Sequence, residues 1–137
     1  MKTPLLSVIV IVYNMPRQAL NTLYSLCPAY QQNVDADAYE VIVVENRSKN
    51  VMDPQAIAKL PGNFQYFLRD EQGVSPAAAI NFALSKCRGE YVCLMIDGAR
   101  LVTPGVIQYS LMACRITPHA LVIVPGYHLG PQEHHLL

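Results

Sequence analysis

The sequence has no excess of either charge and no hydrophobic run long enough to cross a bilayer. Ten Lys and Arg residues balance ten Asp and Glu residues in 137 residues. Because a protein that grips nucleic acid through phosphates carries a basic excess, nucleic acid is not an expected partner. The longest apolar run, LLSVIVIVY, has strand length and is far short of the ~20 residues of a membrane-spanning helix. We therefore predict no transmembrane segment.

The four cysteines lack the paired spacing of a zinc site or a redox motif. Cys27, Cys87, Cys93 and Cys114 form no CxxC pair and fall in predicted helices or strands, so we expect reduced, mostly buried thiols. The first apolar run follows Met-Lys-Thr-Pro too closely, and lacks the small-residue cleavage site, to be typical of a signal peptide. Together these absences predict a cytoplasmic protein.

Three nucleotide-binding and hydrolase motifs are also missing. The first strand-to-helix turn reads YNMPR and has no glycine, so the dinucleotide-binding pattern GxGxxG does not apply. No GxxxxGK[ST] phosphate loop occurs, and no GxSxG places a nucleophile on a sharp turn.

Apolar strand-like and helix-like segments alternate along the chain. An apolar fraction of 52% and a mean hydropathy of +0.20 suit a sheet that is covered on both faces. The alternation predicts one α/β domain, a Rossmann-like, mostly parallel sheet with helices on both faces. The predicted strands are 5–13, 38–46, 63–69, 90–97 and 119–127, and the predicted helices are 16–27, 54–60, 76–88 and 104–114. Asn14 and Ser75 are the predicted N-caps, and Gly89 is the predicted C′ glycine.

Polar and aromatic side chains follow the predicted strands, where parallel α/β sheets bind their ligands. Tyr13 can stack on a base, Glu45 can accept from ring N–H groups or ribose hydroxyls, and Arg69 or Arg100 can face a phosphate. This distribution predicts a small polar ligand with a flat ring and negative charge.

Several segments, in order, resemble the nucleotide-sugar-binding half of family 2 glycosyltransferases, which have the GT-A fold. These are LSVIVIVYN, YEVIVVENRSKN and GVSPAAAINFALSKCRGEYVCLMIDGARLVTPGVI, and the resemblance covers about residues 5–127. It implies a glycosyltransferase that takes a nucleoside-diphosphate sugar, with a UDP-sugar as the first candidate donor, and an acceptor that the sequence does not identify.

The resemblance also implies which residues bind the nucleotide. Tyr13 matches the residue that packs on the base, and Glu45, Asn46 and Ser48 match the D-D/N-x-S motif that binds the base or ribose. Asp97 matches the first Asp of the D-x-D motif, which binds the ribose and, through a divalent cation, the diphosphate.

The sequence departs from the family pattern at the D-x-D motif. Ala99 replaces the second Asp, and Arg100 follows it. Mn²⁺ or Mg²⁺ could still be held by Asp97 with oxygens of the diphosphate and water, since Mg²⁺ often uses only one or two carboxylates. Alternatively, Arg100 could neutralise the diphosphate in place of the metal.

The second departure concerns the acceptor side of the reaction. In the family, an acceptor-binding half with the catalytic base follows the fifth strand, whereas this sequence ends about ten residues later. We therefore expect a donor-binding domain over 1–127 and a tail over 128–137 that begins a missing half, so that the piece binds donor but does not turn over alone. By family analogy the reaction is inverting, and the catalytic base is not identified.

Two further expectations remain open from the sequence. The chain is either such a transferase domain or a non-catalytic nucleotide-binding or scaffolding module with a degenerate D-x-D site. Apolar surface that the missing half would cover favours a homo-oligomer.

Overall fold

The computed structural model describes residues 2–96 and 98–127; Met1, Asp97 and the predicted tail 128–137 lie outside the described residues. Within this part, strands and helices alternate as predicted. The strands are β1 (Leu6–Val12), β2 (Tyr39–Asn46), β3 (Phe64–Arg69) and β4 (Tyr91–Met95). The helices are α1 (Pro16–Ser25), α2 (Pro54–Ala58), α3 (Ala77–Lys86) and α4 (Val106–Ile116).

The four strands form one parallel sheet in the order β3-β2-β1-β4. The chain builds outward from β1 through β2 to β3 and then returns to pair β4 with the other side of β1. The strand order therefore reverses between β1 and β4, and the crevice outside the carboxyl ends at such a point is where open α/β sheets bind ligands.

Helices cover both faces of the sheet, which confirms the predicted fold class. Alternate residues of β1 and β2 point to opposite faces, so their nearly continuous apolar sequence fills two cores. On one face Val8, Val10 and Val43 pack with α1, α2 and α4. On the other face Ile9 and Ile42 pack with α3.

Helix α3 covers β1 and β2 but leaves part of β4 in solvent. Val92 and Leu94 of β4, and Ile96 just after it, occupy alternate positions and are each about half exposed. The homo-oligomer expected from exposed apolar surface stays a prediction. In the described part of the chain, no helix has both the length and the apolar character needed to cross a membrane.

The predicted fifth strand, 119–127, is wrong. Among the described residues this segment has no strand, and Leu121, Ile123 and Tyr127 are more than four-fifths exposed. Its β-branched, apolar sequence favours extended backbone, but a strand also needs a neighbour for its backbone hydrogen bonds. The described sheet ends at β4.

None of the three predicted helix caps has its predicted role in the structure. Pro76 rather than Ser75 is the N-cap of α3, although the Ser75 hydroxyl oxygen accepts from the Ala77 N–H at 3.2 Å. Met15 rather than Asn14 is the N-cap of α1, because Asn14 adopts φ +50° and its side chain bonds elsewhere. Helix α3 ends at Lys86, and Gly89 is not its C′ residue. A Cβ at Gly89 would lie 2.6 Å from the Ser7 nitrogen, so glycine is needed there for close approach to β1.

Candidate functional site

The turn after β1 presents Tyr13 at the carboxyl edge of the sheet. Its side chain is 59% exposed, so its ring is available to a ligand. The next residue, Asn14, accepts hydrogen bonds through Oδ1 from the backbone N–H groups of Lys49 (2.6 Å) and Asn50 (3.3 Å). The Ser48 hydroxyl oxygen accepts from the Asn14 N–H at 2.9 Å. The predicted ligand residue Ser48 therefore ties the turn after β2 to the turn that carries Tyr13.

Glu45, the predicted base or ribose ligand, is fully buried near the end of β2. Its Oε1 accepts hydrogen bonds from the Met52 N–H (2.9 Å) and the Tyr66 hydroxyl (2.6 Å). Burial, followed by the hydrogen bond to the Glu45 carboxylate and its charge, raises the pKa of Tyr66, so this hydroxyl stays a donor at neutral pH. Glu45 Oε2 is buried and has no hydrogen-bond partner among residues 2–96 and 98–127. One carboxylate oxygen thus remains to accept a donor.

Asn46, the third predicted ligand on β2, is bonded to the loop after β3. Its Oδ1 accepts from the Glu71 N–H at 2.8 Å, and its Nδ2 donates to the Glu71 carbonyl at 3.4 Å. Arg69, which could have faced a phosphate, pairs with the Glu71 carboxylate and stacks 3.8 Å from the Phe82 ring centroid. In this structure both side chains are bonded to the protein.

The turn after β4 is held by helix α1. The Thr22 hydroxyl, which is buried, donates to the Gly98 carbonyl at 2.7 Å and accepts from the Arg100 N–H at 2.9 Å. The Arg100 side chain is exposed and its guanidinium approaches Gly126, where a Cβ would lie 3.0 Å from Nη1. Asp97, the predicted D-x-D carboxylate, lies outside the described residues.

Gly98 is pressed against the end of β1. A Cβ at this position would lie 3.0 Å from Val12 Cγ2 and 3.1 Å from the Ile11 carbonyl oxygen. A side chain here would have to push β1 or the turn by a few tenths of an ångström. The backbone of the turn is therefore held between β1 on one side and Thr22 on the other.

Two more buried polar residues continue this connection beyond the turn. The Ser25 hydroxyl accepts from the Val102 N–H at 3.1 Å and donates to the Thr22 carbonyl. Gln31 donates to the Thr103 carbonyl and accepts from the Ile107 N–H. None of Thr22, Ser25 and Gln31 was predicted from the sequence, although Thr22 shares the buried face of α1 with Ala19 and Leu23. A hydroxyl on that apolar face was the feature that could have revealed it.

A second buried carboxylate lies at the amino end of the sheet and was also missed. Glu40 Oε1 accepts from the Ser7 hydroxyl (2.7 Å) and the Arg88 N–H (2.8 Å), and Oε2 accepts from Arg88 Nε (2.9 Å) and forms an ion pair with Arg88 Nη2 (2.8 Å). Burial alone would raise the pKa of Glu40, but hydrogen bonds from Ser7 and Arg88 and the Arg88 charge lower it overall. This site lies at the edge opposite the candidate ligand site.

The described residues offer little to a divalent cation. Among residues 2–96 and 98–127, no group of three His, Cys, Asp or Glu side chains could hold a metal ion. At the turn itself Gly98 and Ala99 have no side-chain oxygen and Arg100 is cationic. These residues do not fit a metal by themselves, and Asp97 is the one carboxylate that the sequence adds there.

Solved structures show the same fold. The structure of Staphylococcus aureus TarS 1–349 matches with a TM-score of 0.70 and 24% sequence identity, over 81% of this chain and 32% of that one. The same TarS piece solved in complex with UDP matches with a TM-score of 0.68, 24% identity and the same coverage. The chain thus spans about a third of the length of these TarS structures. No curated protein matches it.

The sequence comparison with protein families gives the wider assignment. The model of glycosyl transferase family 2 matches residues 7–128, which is most of the chain. The parallel sheet, its helices on both faces and the likeness to TarS agree with the nucleotide-binding half of a GT-A glycosyltransferase. The chain belongs to glycosyl transferase family 2.

Proposed function

We propose that this chain binds a nucleoside-diphosphate sugar at the carboxyl edge of its sheet and is the donor-binding part of an inverting glycosyltransferase. A UDP-sugar is the first candidate donor, because the TarS structure that resembles this chain was solved in complex with UDP. The domain boundaries, 1–127 with a tail over 128–137, belong to this proposal. No residue is assigned to proton removal from the acceptor.

The observation that carries the proposal is the set of groups around the β1–β4 switch point. Tyr13 offers an exposed ring after β1, and Glu45 Oε2 is a buried acceptor to which none of the described residues donates. The turn of Gly98 to Arg100 lies against the end of β1, where the strand order reverses. A base, a ring or ribose donor and a charged diphosphate match these three features in turn.

We further propose that the diphosphate is neutralised in one of two ways. In the first, Asp97 binds Mn²⁺ or Mg²⁺, and oxygens of the diphosphate and water complete the coordination. In the second, the Arg100 guanidinium binds the diphosphate directly, as its fixed charge and fork of donors allow. In this proposal the metal has a binding role only.

Titration calorimetry with UDP, GDP and TDP, each with Mn²⁺ and with a chelator, tests the proposal. We expect one diphosphate to bind and Tyr13→Ala to weaken it by about tenfold, since stacking on an aromatic ring contributes about 1–3 kcal/mol per base. Tyr24→Ala is the matched control, because Tyr24 is 53% exposed near the other end of α1. It should leave the Kd unchanged.

The same titration separates the two ways of neutralising the diphosphate. Binding that needs Mn²⁺ and is lost in Asp97→Ala supports the metal. Binding that is indifferent to chelator and lost in Arg100→Ala supports the guanidinium. If no diphosphate binds under either condition, the proposal is wrong for this chain.

Ala99 favours one second candidate, a nucleotide-binding or scaffolding module without transferase activity. It removes the second carboxylate of the D-x-D motif, and the described residues supply no replacement. Such a module would bind nucleoside diphosphate and gain no affinity from the sugar of a UDP-sugar. Comparing the Kd of UDP with the Kd of a UDP-sugar distinguishes the two functions without requiring turnover: tighter binding of the UDP-sugar supports the donor-binding domain, and equal or weaker binding supports the module.

A further inference from the structure

One buried hydroxyl bridges two backbone groups of the turn after β4. The Thr22 oxygen is 2.7 Å from the Gly98 carbonyl oxygen and 2.9 Å from the Arg100 nitrogen. The donated and accepted bonds together close a ring around the two peptide groups that flank Ala99. The two bonded residues are Gly98, which follows Asp97 in the sequence, and Arg100. Asp97 and Arg100 are the two groups proposed to neutralise the diphosphate.

The hydroxyl has a local alternative, which makes the bridge informative. In a helix, Thr can donate back to the carbonyl four residues earlier, and the Gln18 carbonyl oxygen lies 3.1 Å away. One hydroxyl has one proton, and the shorter distance is to Gly98. The Thr22 oxygen also accepts a hydrogen bond from the Arg100 N–H. Donation back to the Gln18 carbonyl would not use this acceptor capacity of the hydroxyl.

The opposite side of the turn leaves little freedom. Gly98 already lies so close to Val12 and Ile11 that a Cβ would be 3.0 Å from the Val12 side chain. Strand β1 therefore limits movement of the turn on that side. The Thr22 bridge holds the backbone of the turn from the side of α1.

We infer that Thr22 is a positioning residue for donor binding, which holds the turn of Gly98 to Arg100 in the conformation that meets the diphosphate. This inference rests on the proposed function. Without the bridge the turn samples other conformations, and the apparent affinity for a diphosphate falls by the fraction of molecules that remain competent. Thr22 acts through the turn and is not itself proposed to contact the ligand.

The test compares Thr22→Val, Thr22→Ser and Ser25→Ala with the unsubstituted protein. Valine keeps the shape and loses the hydroxyl, whereas serine keeps the hydroxyl. Ser25→Ala is the matched control, since it removes a buried hydroxyl of the same helix that holds Val102, beyond the turn. UDP titrations, with Mn²⁺ and with chelator, are made well below the unfolding temperature of every variant.

We expect Thr22→Val to raise the Kd for UDP about tenfold, serine to restore it, and Ser25→Ala to lower the unfolding temperature without changing the Kd. Amide hydrogen exchange gives a readout that needs no ligand. The Arg100 N–H should exchange faster in Thr22→Val than in the unsubstituted protein, and Thr22→Ser should keep it slow.

The outcomes separate this inference from the proposed function. If the unsubstituted protein binds none of UDP, GDP and TDP, the proposed function fails, and donor positioning fails with it. If it binds UDP and Thr22→Val binds equally well, only the positioning role is overturned. A tenfold loss in Ser25→Ala as well would also overturn it, because the effect would then follow general destabilisation.

Discussion

Two glutamates of the same strand, Glu40 and Glu45, are both fully buried, yet they differ in how completely the protein satisfies them. Glu40, at the amino end of β2, accepts three hydrogen bonds and forms an ion pair with Arg88. Glu45, at the carboxyl end, accepts two bonds through one oxygen and none from the described residues through the other.

This difference separates a carboxylate that stabilises the fold from one suited to a ligand. Burying a charge is costly unless it is paired and hydrogen-bonded, and Ser7 and Arg88 meet that requirement for Glu40. An acceptor left without a donor costs folding free energy, and a ligand N–H or hydroxyl would remove that cost on binding. The incomplete site lies at the carboxyl edge of the sheet, where open α/β sheets bind ligands.

The largest effect should come from changing the satisfied glutamate. In Glu40→Gln the new NH₂ faces donors and Arg88 loses its partner, so we expect a loss of about 2–4 kcal/mol in the free energy of unfolding. The figure stays below that of a fully buried pair because the Arg88 side chain is 40% exposed. Glu45→Gln keeps Oε1 as an acceptor and should change stability by no more than about 1 kcal/mol. Urea unfolding at pH 7 measures both.

Lys2→Met provides the control for that comparison. Lys2 and Asp37 form a surface pair at 3.8 Å with side chains 72% and 52% exposed, so its loss should change stability by less than about 0.5 kcal/mol. Equal losses of unfolding free energy in Glu40→Gln and Glu45→Gln would show that the protein depends on the two carboxylates to the same extent, and would contradict the distinction drawn from Glu45 Oε2.

Most of the fold could be predicted from the sequence because each strand of this sheet is a local run of mainly apolar residues. β1 through β4 and all four helices lie where the alternation placed them. The error at 119–127 arose because residue type indicates extended backbone but does not indicate which strand will pair with it.

The site was less accessible to sequence reasoning. Tyr13 and Glu45 were placed at one edge from the ends of their strands alone. That Glu45 is buried depends on Met52 and Tyr66, which come from a loop and another strand. Glu40 was missed because Ser7 and Arg88 lie 33 and 48 residues away along the chain. Such distant partners leave no local pattern.

The pH dependence of stability gives a second, smaller effect that tests whether Glu40 is ionised and paired. Because the folded-state pKa of Glu40 is lowered, its contribution is fully present above the unfolded carboxyl pKa of about 4.3 and is lost as the pH falls through the folded pKa. The stability difference between the unsubstituted protein and Glu40→Gln should therefore shrink below about pH 4.3. Urea unfolding between pH 3 and 7 measures it. A difference that stays constant over this range would contradict the assignment of Glu40 as an ionised, paired group.

A smaller effect than that of Glu40→Gln tests the hydroxyl that bonds to Glu45. Tyr66→Phe removes one of the two donors to Oε1, and the Met52 N–H keeps the other, so we expect a loss of about 1 kcal/mol in unfolding free energy. With Oε1 less firmly held, the carboxylate can rotate, and the proposed affinity for UDP should fall a few-fold. Urea unfolding and UDP titration on the same preparations measure the two changes. If Tyr66→Phe lowers stability but leaves the affinity unchanged, then Tyr66 serves the fold alone, and Glu45 resembles Glu40 more closely than its unpartnered oxygen indicates.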